Sequence, residues 1–248
     1  MLDQAFAFFK TGNFPAALEV LPDPSSPFIS YWPPEVGAEA AYVRPLADFY
    51  ARWDRLDYRG ASDAIDAIPS GPSTGRWARF AVTDEMKAWV RRLAAPLPDD
   101  FRERAERLRY LVADLLANGE RRIHQAMYED AVIRAYRVLE LVGQIHLFDY
   151  AMDSESVDPN HPKVQELQEK KEKEGTPLGK NKAGRYQLGR ENTARLLKIL
   201  GDERAKEMLE LGKKGVINAT TRNKSVLVHG FEAAAKTDVA ELKSVYED

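Results

Sequence analysis

Apolar residues recur every three or four positions along almost the whole chain, and no convincing stretch alternates apolar with polar side chains as a half-buried strand does. An αβ protein needs several such stretches, so the expected fold class is all-α. Leu2, Ala5, Phe6 and Phe9 fall at helical spacing, Gly12 and Asn13 break the pattern, and Ala17, Leu18 and Leu21 resume it, which makes a short helical hairpin. Residues 22–34 are rich in Pro and Ser and read as loop. A helix over 36–56 offers Ala38, Ala41, Leu46, Phe49, Tyr50 and Trp53 for burial, with Pro45 expected to kink or split it. A shorter helix over 58–68 closes on Pro69, Ser70, Gly71 and Pro72.

Thr83 starts a further helix with Asp84 and Glu85 in its first turn, and Pro96 and Pro98 end it. Asp99 and Asp100 open the next, expected to run through Leu116 and to be interrupted or ended at Asn118 and Gly119. Residues 128–147 carry the clearest helical pattern. Ala131, Ala135, Val138, Val142 and Ile145 form one stripe, which leaves Arg134, Arg137, Glu140 and Gln144 for other faces. The stretch 152–190 is different, with Asp-Pro, His-Pro and Thr-Pro steps, glycines at 175, 179, 184 and 189, and a charged run over 165–174. A short charged helix inside a long excursion is expected, and a loop of that size usually has a function or is mobile. Helices over 191–200 and 202–211, one through 222–230 and a last one over 237–246 complete the pattern.

Phe14-x-x-Ala17, Tyr58-x-x-Ala61 and Tyr128-x-x-Ala131 each begin a helix just after a turn. An aromatic ring over a small residue suits the close elbow of a helical hairpin, although the unequal spacings exclude a regular tandem array. The expected organisation is a tetratricopeptide-like hairpin region over 1–98 leading into a C-terminal helical domain over 99–248, with the excursion at 152–190 inserted.

Composition excludes several function classes. There is no cysteine, hence no disulfide, zinc finger, iron–sulfur cluster or cysteine nucleophile. No apolar run approaches the roughly 20 residues of a membrane span, and the N-terminus lacks a secretory pattern, so a cytoplasmic location is expected. The net charge of −3 hides an asymmetry: residues 163–224 carry 16 Lys and Arg against 9 Asp and Glu. Such a basic third could attract a polyanion, and it equally fits a lysine-rich solvated linker. Gly175 to Asn181 resembles a phosphate-binding loop but is one residue short, ends in Asn and follows no strand, so it is set aside. The histidines at 124, 146, 161 and 229 are too scattered for a metal site. His161 is expected to be solvated, and His124 and His146 to be structural.

The segment Thr220-Thr221-Arg222-Asn223-Lys224-Ser225-Val226-Leu227-Val228-His229-Gly230 carries chemistry. On a helix, Arg222 and His229 lie about 700° apart, two turns less about 20°, so they share one face at about 10 Å along the axis. Thr220 and Thr221 are N-cap candidates that put Arg222 near the positive helix end. A guanidinium there can hold a phosphate in bidentate fashion, and an imidazole can move protons at neutral pH. Together they can cleave RNA without a metal: the 2′-hydroxyl attacks, the histidine handles protons and the arginine stabilises the phosphorane charge.

The Arg-Asn-x-Ser-x-Leu-x-His-Gly segment resembles the active-site motif of HEPN ribonucleases, an Arg and a His separated by four to six residues. Two further stretches extend the likeness to about 36–232. One is Asp114-Leu-Leu-Ala-Asn118 with Arg121, Arg122 and the helix from Tyr128 to Gln144; the other is the Tyr50, Trp53, Asp54, Asp57, Tyr58, Ala61 segment. In this order they resemble the effector half of the CARF–HEPN ribonucleases of type III CRISPR systems. The resemblance implies a C-terminal HEPN helical bundle and a homodimer with a composite cleft. It also implies metal-independent cutting of single-stranded RNA that leaves a 2′,3′-cyclic phosphate. Arg222 and His229 would be the catalytic pair and Asn223 the polar residue after the arginine, with no cofactor and no metal. Charge complementarity suggests that Asp130 or Glu140 orients Arg222, while Asp130 can equally pair with Arg134 one turn along its helix. The family's αβ sensor of cyclic oligoadenylate has no counterpart in an all-helical sequence, so the chain would be either an excised effector half or a protein that has lost the sensor, and the latter would need an inhibitor protein, a partner sensor or inactive chemistry. The competing reading is a non-catalytic helical interaction module, a degenerate HEPN or tetratricopeptide-like scaffold that binds a partner protein.

Overall fold

The computed structural model describes residues 1–23, 26, 31–69 and 75–211, and the chain divides into two compact units, with the boundary between Pro96 and Leu97. Among the described residues every regular element of more than three residues is an α-helix.

The first unit holds α1 (Leu2–Lys10), α2 (Phe14–Val20), α3 (Pro34–Asp54), α4 (Tyr58–Ala64) and α5 (Asp84–Ala94), each packed on the next in sequence up to α5. Phe9 is the hub of its core, with its ring centroid 5.3 Å from Phe14, 5.2 Å from Trp77 and 5.1 Å from Phe80 in edge-on contacts. Such contacts add to the burial energy of each ring. Glu39 on α3 accepts from Trp77 Nε1 at 2.5 Å and from Arg76 Nε at 2.8 Å, which ties the segment after residue 75 to that helix. Helix α3 continues through Pro45 without being split. A mid-helix proline costs about 3 kcal/mol. Val43, Leu46 and Phe49 around it are fully buried, and each contributes about 1.5–3 kcal/mol, so packing outweighs the lost backbone bond.

Three helix-to-helix elbows share one geometry. Gly12, Leu56 and Ala126 all adopt a left-handed backbone, with φ of 69°, 63° and 58°. In each, the following N–H reaches back to the carbonyl five residues earlier: Asn13 to Phe8 at 2.9 Å, Asp57 to Arg52 at 3.0 Å, and Met127 to Arg122 at 2.8 Å. The next helix starts one residue later, at Phe14, Tyr58 and Tyr128, and its small residue, Ala17, Ala61 or Ala131, is completely buried. The aromatic-x-x-Ala pattern therefore marks a common elbow that recurs in both units.

The second unit is built on α6 (Phe101–His124) and α7 (Tyr128–Phe148), joined by the Ala126 elbow, with α8 (Pro162–Lys173), α9 (Arg190–Leu200) and α10 (Ala205–Leu211) following. Helix α6 runs on through Asn118 and Gly119, where the sequence suggested a break. Both residues are buried, and the Asn118 side chain accepts from Arg134 instead of competing for its own backbone. Helix α7 is buried on more than the one expected stripe, because α6 packs on one side and α9 on another. Gly143 permits that approach: a Cβ there would lie 2.9 Å from Thr193 Cγ2 on α9.

The excursion contains the expected short helix, α8, and it is a packed part of the unit. Val157, Val164, Leu167, Leu178, Tyr186 and Leu188 are buried with Leu147, Leu196 and Leu197 in one cluster. Val157 and Tyr186 exchange backbone hydrogen bonds of 2.9 and 3.1 Å, and Leu188 N–H donates to Ser154 at 2.8 Å. His161 is half-buried, and its Nδ1 caps α8 by accepting the Lys163 N–H at 3.2 Å, a more specific role than the solvated one expected.

Ala126 stores strain, because a residue with a Cβ in the left-handed region costs about 1–2 kcal/mol. Ala126→Gly removes that strain at an entropic cost of about 0.5–1 kcal/mol. The expected outcome is a rise of about 0.5–1 kcal/mol in unfolding free energy, read by urea denaturation. A lower midpoint for this exposed position would show that the elbow is relaxed.

Candidate functional site

The polar residues of α7 serve two different surroundings. Toward α6 lies a charged network. Asp114, Asn118 and Arg122 recur every four residues on α6, so they share one face, and all three are buried. Arg134 Nε donates to Asn118 Oδ1, and its Nη1 donates to the Asp130 carbonyl at 2.9 Å and lies 3.4 Å from the Asp130 carboxylate. Arg122 Nε approaches the same carboxylate at 3.9 Å, and Arg122 Nη1 donates to Gln125 Oε1 at 2.7 Å. Asp130 is thus committed to Arg134 and Arg122, the within-helix pairing that the sequence allowed. Glu140, the other candidate, pairs with Arg137 at 3.0 Å.

On another part of α7, Arg137, Glu140 and Gln144 fall at helical spacing and wall a groove of about 460 Å³. Ser154, the loop through Lys180 and the start of α9 close its other sides. Gln144 is positioned by Asp153, whose carboxylate accepts the amide nitrogen at 3.2 Å while also pairing with Arg104 at 3.2 Å. The Arg190 guanidinium stands 5.2 Å over the Tyr136 ring, and the Lys180 ammonium 5.5 Å over Tyr186. Two of the groove's residues are glycines, Gly179 and Gly189, and an added Cβ at either would meet nothing within 4 Å.

A larger cavity of about 640 Å³ lies among α8, α9 and α10, but most of its charges answer one another. Lys170 pairs with Glu166 at 2.8 Å, and Arg195 with Glu174 and Glu191 at 2.7 Å each. Arg195 and Lys171 hold the Glu174 carboxyl below the usual carboxylate range, and Glu174 in turn raises the Arg195 guanidinium. The smaller groove is the more polar one and offers side chains with unused hydrogen-bonding capacity.

Arg222, Asn223 and His229 lie outside the described residues, so the structure neither joins nor separates them. Of the other histidines, His146 lies 3.5 Å from Asp202 and 3.4 Å from Arg204, and His124 is exposed in the last turn of α6. No cluster of three His, Asp or Glu residues able to hold a metal occurs among the described residues. No described helix is long and apolar enough to cross a membrane. Sequence reasoning left the groove unassigned. Its signal was divided between the unassigned polar face of α7 and two glycines far along the chain.

Comparison with known families gives one finding. Residues 101–248 match the family described as Csm6 HEPN domain, a span that takes in α6 to α10 and the Arg222 to His229 segment. No curated protein matches the chain.

The Asp130 network yields a measurable expectation. Asp130→Ala leaves Arg122 and Arg134 without their shared carboxylate in a largely buried setting. A loss of about 1–3 kcal/mol in unfolding free energy is expected. Thermal or urea denaturation checks it, and an unchanged midpoint would show that the network contributes nothing net.

Proposed function

The chain belongs to the Csm6 HEPN domain family through residues 101–248, and on that premise we propose that it is a metal-independent endoribonuclease of CRISPR-associated antiviral defence, acting in the cytoplasm on single-stranded RNA. The observation that carries this reading is that the matched span contains Arg222, Asn223 and His229 in the order and spacing of a HEPN active-site motif. In the reaction, the 2′-oxygen bonds to the adjacent phosphorus and the bond to the 5′-oxygen breaks. His229 handles the proton that passes from the nucleophile to the leaving oxygen. Arg222 holds the phosphate oxygens as negative charge grows, and Asn223 supplies a further polar contact. The products are a 2′,3′-cyclic phosphate and a 5′-hydroxyl.

The test is cleavage of a labelled single-stranded RNA in excess EDTA. The wild type is expected to cut. His229→Ala and Arg222→Ala are expected to lose about 10²–10⁴-fold in kcat with the helical content unchanged, because each removes a transition-state role. Full activity in both variants would remove this site from consideration.

The family reading also implies a homodimer that brings two Arg–His pairs into one cleft. Light scattering is expected to give twice the 28.0 kDa chain mass at micromolar concentration. A monomer under those conditions would rule out the composite cleft. The hairpins of the first unit support a second reading, a helical interaction module that binds a sensor or inhibitor protein. A wild-type chain that leaves RNA intact would favour it.

A further inference from the structure

The N-terminus of α9 opens on the polar groove with Gly189 at its N-cap and no side chain capping it. The first N–H groups of a helix have no acceptor within the helix and carry the positive end of its dipole, so this end suits an anion.

Two buried side chains in the same groove show what it lacks. Ser154 is only 8% exposed, and its hydroxyl has no hydrogen-bond partner among the described residues. Its carbonyl accepts the Leu188 N–H at 2.8 Å, which fixes Ser154 beside the residue that precedes Gly189. Gln144 is equally buried, and its amide nitrogen donates to Asp153 while its amide oxygen has no donor among the described residues. A hydroxyl and an amide oxygen left open in one groove, each on a residue that is otherwise nearly buried, are placed to meet a ligand. Lys180 on the rim rests over Tyr186, and no carboxylate among the described residues claims its ammonium. Glu140 across the groove is already neutralised by Arg137, while Glu155 on the rim adds an acceptor.

We infer that this groove holds one ribonucleotide unit of a single-stranded RNA. The phosphate lies on the α9 N-terminus, the Ser154 hydroxyl and Lys180, and a base amine donates to the Gln144 amide oxygen. A phosphodiester carries no donor for that oxygen, so in a bound strand the base supplies it. The choice of RNA as ligand rests on the ribonuclease reading, and the inference adds a strand-holding site apart in sequence from Arg222 and His229.

The experiment uses the full chain and a fluorescent 2′-O-methyl single-stranded RNA, which lacks the attacking hydroxyl and is bound without being cut. Gly189 has φ of −74° and open space where a Cβ would go, so Gly189→Asp fits the backbone. Its carboxylate accepts the open N–H groups and repels a phosphate. The expected result is a melting temperature equal to or above wild type with at least a tenfold weaker anisotropy-derived Kd. Gly189→Ala, the steric control, is expected to stay within about threefold of wild type. Lys180→Ala is expected to weaken binding about threefold and to reduce the slope of log K against log salt by about 0.7. Wild-type affinity in a folded Gly189→Asp overturns the proposal, and so does a wild-type chain that fails to bind the oligonucleotide. Stabilisation of the wild type by millimolar inorganic phosphate, lost in Gly189→Asp while oligonucleotide binding is kept, overturns the nucleotide assignment in favour of free phosphate. A wild type that binds this probe and leaves ordinary RNA uncut sinks the ribonuclease reading alone.

Discussion

The second unit depends on how α6 and α7 bury charge between them. Asp130 lies within ion-pair reach of Arg134 and Arg122, and Arg134 also donates to Asn118, so two guanidinium groups share one carboxylate and one of them takes an amide oxygen as well. Buried charges are costly unless they find partners, and this one seam gathers such partners across two helices. The register of α6 against α7 follows, because a shift of one residue on either helix would part these groups. The Ala126 elbow fixes the same register from the covalent end. An elbow and a polar seam thus specify one hairpin twice, and the strain of the first is set against the packing that the second secures.

That arrangement frees the rest of α7. With Asp130 and Arg134 occupied on the α6 side, Arg137, Glu140 and Gln144 line a groove. Gly143 lets α9 come close enough for Thr193 to pack on α7, which brings the start of α9 to the groove wall. The excursion completes it, since Ser154 and Lys180 arrive from segments with no regular structure of their own. Their positions come from the buried cluster of Val157, Leu178, Tyr186 and Leu188 beneath them. A polar surface built from loops keeps its geometry here because the loops have their own apolar anchors.

The helices were legible in the sequence because their apolar residues keep a period that burial on one side enforces. The elbows were legible for a similar reason: a ring over an alanine is a local contact, and local contacts leave local patterns. Asn118 misled because its propensity is a single-residue cost, which long-range packing outweighed, and at Pro45 the same packing keeps the helix from being split. The excursion misled for the opposite reason. Its anchors Val157, Leu178, Tyr186 and Leu188 are irregularly spaced, and irregular spacing is invisible to any test of periodicity. The groove joins residues from 137 to 193, so only the fold assembles it. The Arg222 to His229 motif is the reverse case. Its chemistry is written in one short segment, and the sequence alone proposes it.

On the proposed reading, these two kinds of site divide the work that a metal-independent nuclease must do. Without a divalent ion, the charge that grows on a phosphate has to be met by side chains and peptide dipoles that are already in place. Arg222 and His229 are suited to the changing charge, because a guanidinium and an imidazole interact more strongly with the transition state than with the bound strand. An uncapped helix end, a serine hydroxyl and a lysine at a neighbouring nucleotide interact equally with both, since nothing at that phosphate changes during the reaction. Such uniform binding lowers KM and leaves kcat alone. If both proposals hold, the groove belongs to affinity and register along the strand, and the motif to the bond that breaks. A loss confined to KM on altering the α9 N-terminus, against a loss in kcat on altering His229, is the physical signature that separates holding an RNA from cutting it.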